Sequence, residues 1–312
     1  MTNEIKALEK SLADAETILV GAGAGLSAAA GYDYAGARFL KYFSDFHTTF
    51  GIEDIYSGGF YPFPSRELYW GWWSRSIYVN RYAPLPRDTY ARLLSLVRER
   101  DYFVLTTNVD HAFQRARFDK ERLFYTQGDF GLFQSSAPAG PSAGKTYDNE
   151  GTIRAMVRAQ GFSFGADGAL LLPDIGAPAM AIPTALIPYC PDDGREMTTN
   201  LRADESFVED AGWHAAAARY RDFLAHTEGR RTLLLELGVG MNTPGIVKYP
   251  FWRMTAARTG VTLASVNLGM RYVPPKIRPQ SIVIDGDIDA VLRIVSIPAE
   301  RAVHAGQDRS ES

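Results

Sequence analysis

A short buried strand runs straight into alternating glycines in TILVGAGAGLSAAAGY, from Thr17 to Tyr32, and this stretch constrains the fold more than any other. Thr17 to Val20 read as a strand, Gly21, Gly23 and Gly25 clear side chains from a turn, and small helix-forming residues follow. The turn presents backbone N–H groups at the start of a helix, where a phosphate can approach closely. Further buried runs are YFVLTTN from Tyr102, RLFYTQ from Arg122, RTLLLELGVG from Arg231, VTLASVN from Val261 and SIVIDGD from Ser281. Helical stretches such as RDTYARLLSLVRER and WHAAAARYRDFLAHT separate most of them. Strands and helices in alternation predict an α/β fold, a doubly wound parallel sheet with helices on both faces.

Two stretches break the alternation. Residues 34–83 are crowded with aromatics, as in GGFYPFPSRELYWGWWSRSIY, and residues 130–212 are rich in Gly, Pro and Ala. The expected organisation is a sheet domain from 1–33, 84–129 and 213–300, an aromatic-rich helical insertion at 34–83, a second small module at 130–212 and a disordered tail at 301–312. Trp70, Trp72 and Trp73 are expected as core of the first insertion, since aromatics supply large buried area where little other core exists.

Composition sets the class of partner. The chain has 312 residues, 46% of them hydrophobic, and a net charge of -3 with no long basic run, so nothing marks a nucleic-acid or membrane surface. The first residues, MTNEIKALEKSLADAET, lack the apolar core of a signal peptide, and no membrane-length apolar run occurs. A cytoplasmic protein is expected. The one cysteine, Cys190, rules out an intrachain disulfide and agrees with a reducing compartment.

Polar residues gather at the strand ends. TTNVD (Thr106–Asp110), TQGD (Thr126–Asp129), GVGMNTP (Gly238–Pro244) and SVNLG (Ser265–Gly269) each follow a strand, and open parallel sheets bind ligands outside those ends. The full dinucleotide fingerprint is absent, because Leu26 stands where its third glycine would fall and no ribose-binding acid ends the second strand. A hydride-transfer dehydrogenase therefore fits poorly. His111, just past TTNVD, is expected as an ordinary polar residue of the next helix.

In combination, these segments resemble the sirtuin family. GAGAGLSAAAG is similar to the family's GAG-x-S-x-x-x-G opening, and TTNVD, GVGMNTP and SVNLG resemble its later motifs in the same order, from about Thr17 to Leu292. GYDYAGARF, TTNVDHAF, TQGDFGLFQ, NLRADESFVEDAGW and LELGVGMNTPGIVKYPFW bring the chain closer to the macrodomain-linked branch. The resemblance implies a Rossmann-like domain with a helical lid and a degenerate zinc-type module, and NAD as co-substrate. It places the pyrophosphate at Gly21, Ala22, Gly23 and Ser27, with Tyr34, Arg38 and Thr107 also on the cofactor. Asn108 and Asp110 would hold the nicotinamide ribose and carboxamide. Gly238, Gly240 and Asn242 would contact phosphate and ribose, Asn267 the adenosine ribose, and the Asp287 region the adenine.

Two departures from the family pattern shape the functional expectation. Deacylating sirtuins carry a general-base histidine where this chain has Gln127, an amide that does not titrate; loss of a positioned base costs a factor of about 10² to 10⁴. Deacylation is not expected. Transfer of ADP-ribose to an acceptor with its own nucleophile, such as a carboxylate, dispenses with that base, and the branch implies protein ADP-ribosylation of a lipoylated glycine cleavage H-like carrier, with a functional link to a macrodomain hydrolase. Asn108, Asp110 and Gln127 are thus the candidate catalytic residues. An NAD glycohydrolase and a non-catalytic NAD or ADP-ribose binding module are the alternatives. The second departure is CPDDG, which keeps Cys190 but has Asp193 where a second thiolate would bind zinc, and the other thiolate pair is missing, so no metal is expected. Cys190 is then expected as a small buried apolar residue. Downstream, Arg202 is the candidate for acceptor recognition.

Overall fold

The structure is a computed structural model that describes residues 2–241 and 244–296. Asn242 and the tail at 301–312 lie outside the described residues. Helix α1 (Asn3–Asp14) is capped by the Thr2 hydroxyl, which accepts from the Ile5 N–H, and leads into β1 (Thr17–Ala22) and α2 (Ala24–Ala29). Helices α3 (Gly36–Phe50), α4 (Ile55–Gly59) and α5 (Arg66–Ile77) follow, and α5 continues into a π-helical turn at Tyr78–Tyr82. The chain returns through α6 (Thr89–Val97), β2 (Asp101–Thr106), α7 (Ala112–Arg115) and β3 (Leu123–Tyr125). It leaves again as β4 (Gly128–Ser135), β5 (Tyr147–Asp148), α8 (Glu150–Ala159), β6 (Ser163–Phe164), β7 (Leu170–Leu171) and β8 (Met197–Leu201). Helix α9 (Ala211–His226), β9 (Thr232–Leu237), α10 (Lys248–Ala257), β10 (Val261–Asn267), β11 (Ser281–Asp285) and α11 (Ile288–Val295) complete it.

Six strands form one parallel sheet in the order β11-β10-β9-β1-β2-β3. Every residue of β1 and β9 is buried, as a central strand covered on both faces requires. One face packs Ile18, Val20 and Val104 against α1, α2, α6 and α11, and the other packs Leu19, Phe103 and Leu234 against α9 and α10. The chain moves outward from β1 in one direction through β2 and β3, and in the other through β9, β10 and β11. Strand order therefore reverses beside β1, and the loops after β1 and β9 border the crevice that such a switch point opens.

The two inserted stretches share a single apolar core. Phe43, Phe46, Trp70 and Trp72 from the aromatic stretch pack in one cluster with Phe133, Ile153, Met156, Ile187 and Cys190 from the later one. Trp73 is partly buried against the same cluster. Helix α5 is enclosed on most sides, and its Arg75 is fully buried, with its guanidinium paired to both carboxylate oxygens of Asp45 at 2.8 Å and donating to Gln160 Oε1 at 2.6 Å and the Ala179 carbonyl at 2.8 Å. A buried charge this completely partnered ties α3 and α5 to the chain after α8. Among the described residues, no helix is long and apolar enough to cross a membrane.

Candidate active site

The loop after β1 is locked against the loop after β9. Gly25 donates its N–H to the Gly238 carbonyl at 2.9 Å, and Gly23 donates to the Leu237 carbonyl at 3.0 Å. Gly238 has φ +63, and a Cβ on Gly25 would lie 2.7 Å from the Gly238 Cα. Only glycine permits two backbones to meet this closely. Gly21 serves packing: a Cβ there would lie 2.4 Å from Val247 Cγ1 and 2.6 Å from Phe251.

The end of β2 closes over this loop. The Ala22 carbonyl accepts from the Thr107 N–H and the Thr106 hydroxyl, each at 3.1 Å. The buried Asn108 side chain donates to the Gly23 carbonyl at 3.0 Å and to Tyr90 Oη at 3.4 Å. Its amide oxygen has no protein partner among the described residues. Asp110, also buried, accepts from Ser27 Oγ at 2.5 Å and from the Ala112 N–H at 2.9 Å. Burial raises its pKa, while the hydrogen bonds from Ser27 and Ala112 oppose that rise. Ser27, Tyr90, Asn108 and Asp110 thus form one polar knot on the glycine loop.

Gln127 sits at the tip of β3, half-buried. Its carbonyl accepts from the Arg202 N–H at 3.0 Å, and its side-chain nitrogen donates to Thr126 Oγ1 at 3.3 Å. Gly128 then turns the chain into β4 with φ +95, where a Cβ would fall 1.9 Å from the Asn200 carbonyl. The backbone beside Gln127 therefore has one conformation open to it. Arg202 stacks over Phe207 at 4.5 Å and Trp213 at 5.5 Å and pairs with Glu209.

The other expected positions make contacts of their own. Arg38 donates to the Asp33 carbonyl at 3.1 Å and to the Val79 carbonyl at 2.6 Å, which fastens α3 to the π-helical turn; the Tyr34 carbonyl accepts from Ile55 at 2.9 Å. Gly240 is exposed in the loop after β9, and Asn267 at the end of β10 donates to the Val239 carbonyl at 3.1 Å. Asp287 caps α11 by accepting from the Ala290 N–H at 2.8 Å. His111 differs from the expectation of a helix residue. It precedes α7 with φ +61, and its Nδ1 lies 2.5 Å from Oδ2 of the buried Asp129. The contact spans from the β2 end to β4, so local periodicity carries no signal for it.

The residues at Cys190 do not fit a tetrahedral thiolate site. The sulfur is buried 3.3 Å from Tyr147 Oη. The Asp193 carboxylate accepts from Ser142 Oγ at 2.6 Å, Ser135 Oγ at 2.7 Å and the Arg195 N–H at 2.9 Å. Those hydrogen bonds, chiefly that from Ser142, hold its pKa well below the usual carboxylate range. The turn that would carry zinc ligands is tied by hydroxyls instead.

No protein-family model matches the chain. Among solved structures, a Sir2 with a p53 peptide and NAD+ is similar with a TM-score of 0.54 and 16% identity, over 95% of this chain and 97% of the other. Sir2Tm bound to a propionylated peptide is similar with a TM-score of 0.53 and 15% identity, over 93% and 96%. These likenesses establish the sirtuin fold. A protein ADP-ribosyltransferase of Staphylococcus aureus is 33% identical over 292 residues, which cover 93% of this chain and 86% of the relative. The chain belongs to the sirtuin-type ADP-ribosyltransferases. A probable bifunctional ADP-ribose hydrolase/ADP-ribosyltransferase of Fusarium oxysporum is 30% identical over 272 residues. That match covers 85% of this chain and 42% of the relative's length.

Proposed function

We propose that this transferase moves ADP-ribose from NAD to a protein acceptor and releases nicotinamide, without removing acyl groups. The observation that carries the reading is the pairing of the Ser27, Tyr90, Asn108 and Asp110 knot with a non-titrating amide, Gln127, at the neighbouring strand tip. Nicotinamide in NAD is already a cationic leaving group, so the protein's task is to orient the glycosidic bond and stabilise an oxocarbenium-like centre. The start of α2, with Ser27 beside it, binds the pyrophosphate, while the Gly23 and Gly25 N–H groups hold the loop against the end of β9. The unpartnered amide oxygen of Asn108 and the Asp110 carboxylate orient the nicotinamide ribose and its carboxamide. Gln127 hydrogen-bonds the ribose but cannot take its proton. Tyr34, Arg38, Gly238, Gly240 and Asn267 complete the NAD site, with the Asp287 segment beside the adenine.

The acceptor enters beside Arg202, whose N–H already holds the Gln127 carbonyl. A lipoylated glycine cleavage H-like carrier is the acceptor we propose to test first. The Fusarium relative's name joins a hydrolase to a transferase, which accords with a functional link to a macrodomain hydrolase that would reverse the modification. The aromatic helical insertion, tied to Asp129 through Arg81, suits the exclusion of water until the acceptor docks.

The test incubates the protein with labelled NAD, with and without lipoylated and unlipoylated carrier, and separates free ADP-ribose from protein-bound label. Slow turnover without carrier and label on the carrier are expected. Fast free ADP-ribose with no label would leave an NAD glycohydrolase, and binding without any nicotinamide release would leave a binding module. An acetyl-lysine peptide should keep its acetyl group throughout; robust deacetylation would refute the role given to Gln127.

A further inference from the structure

We propose that His111 is the general base that takes the proton from the incoming nucleophile, and that the acceptor therefore includes hydroxyl groups, which arrive carrying that proton. This rests on the transferase reading above. His111 is the residue after Asp110, so it belongs to the segment that closes on the glycine loop, and its partner Asp129 lies two residues past Gln127. The imidazole is therefore held between the end of β2 and the start of β4. The Phe130 N–H also bonds the Val109 carbonyl at 2.9 Å, which fixes these two segments to each other.

Asp129 sets the tautomer. It is buried, and Arg81 from the π-helical turn donates to its Oδ1 at 3.0 Å, as does the Gly131 N–H at 2.7 Å. Burial pushes its pKa up, but the hydrogen bond from His111, with the Arg81 guanidinium beside it, brings it below the usual carboxylate range. An ionised carboxylate only accepts, so Nδ1 must carry the hydrogen it shares with Oδ2. Nε2 then keeps its lone pair, and it has no protein partner among the described residues. A carboxylate that orients an imidazole in this way is the arrangement that makes histidine an effective base. The backbone supports the assignment, because a non-glycine residue at φ +61 persists where the surroundings enforce it, and such residues gather at functional sites.

The step balances without any further reactant. The C1′–N bond of NAD breaks and its electron pair leaves with nicotinamide; a hydroxyl oxygen lone pair forms the new bond to C1′, and its proton passes to Nε2 and then to solvent. The charged groups tied to the imidazole are Asp129 from β4 and, through it, Arg81 from the π-helical turn. The phenols nearest Asp129 ionise far above neutral pH, Tyr125 pushed up to about 12 by burial and Tyr82 higher still.

Water and methanol serve as probe nucleophiles, with nicotinamide release and methyl ADP-ribose measured in aqueous methanol over long incubations. His111→Gly relieves the left-handed backbone while removing the imidazole, and its melting temperature is measured alongside because the buried Asp129 keeps only Arg81 and the Gly131 N–H as partners. We expect unchanged NAD affinity by calorimetry, solvolysis reduced about 10²- to 10⁴-fold, and partial rescue by free imidazole. His111→Gly with wild-type solvolysis, or with loss that imidazole does not restore and NAD affinity falling in step, overturns the assignment. Wild-type protein that binds NAD yet releases no nicotinamide to either nucleophile overturns the transferase reading itself, and this inference with it.

Discussion

Gly25→Ala should damage the site through geometry alone. The added Cβ would stand 2.7 Å from the Gly238 Cα and 2.9 Å from its carbonyl oxygen, whereas ordinary contact begins at 3.4 Å. The obstacles are backbone atoms, so no side chain can swing away; the two loops must separate by about 0.7 Å, with the Gly25 N–H to Gly238 carbonyl bond stretched or broken. Overpacking of this kind costs about 1–3 kcal/mol of stability. The functional cost is larger, because these loops border the crevice and misplacement on the order of 1 Å costs about 10²-fold in rate. Melting temperature, NAD affinity by calorimetry and nicotinamide release would be measured on the variant. Gly229→Ala is the control, since Gly229 has φ +73 but open space around its Cβ position; it should lose about 1 kcal/mol and keep full turnover. Gly25→Ala with wild-type NAD affinity and turnover would refute the argument that this loop contact shapes the site.

Asn108→Ala should lower nicotinamide release by about 10²-fold or more while the protein stays folded, given the proposed role of its amide in positioning the ribose; unchanged turnover would remove it from the mechanism. Arg75→Ala strands the Asp45 carboxylate and the Gln160 amide and should cost about 3–5 kcal/mol in denaturant titrations; a loss below about 1 kcal/mol would show that the lid does not depend on this buried pair. Asp193 has a depressed pKa in the folded state, so its contribution to stability is present above its unfolded value of 3.8 and is lost as pH falls below that toward the folded value. Acid titration followed by tryptophan fluorescence should therefore show wild type losing stability below about pH 4, and Asp193→Asn losing less over that range; identical acid profiles would mean that the hydroxyl clamp does not hold the module.

The parallel sheet was legible from the residues because each central strand is a continuous apolar run, and the placement of TTNVD, TQGD, GVGMNTP and SVNLG at strand ends followed from where those runs stop. These are local patterns, and six strands in parallel with helices on both faces realise them. The partner of His111 was not legible. Its carboxylate is 18 residues along the chain and that carboxylate's arginine 48 residues back from it, and both distances close only when β4 and the π-helical turn fold back against the end of β2. The helical reading of His111 failed for the same reason, since a left-handed residue enforced by tertiary contacts leaves no mark on periodicity. The aromatic content of residues 34–83 called for burial but did not name the surface, and packing against Phe133, Ile153 and Cys190 decided it. Likewise CPDDG shows that thiolates are missing, a fact of composition alone. That Ser135 and Ser142 take over Asp193 depends on β4 and the turn after it passing within 2.7 Å, a proximity that only the folded chain creates.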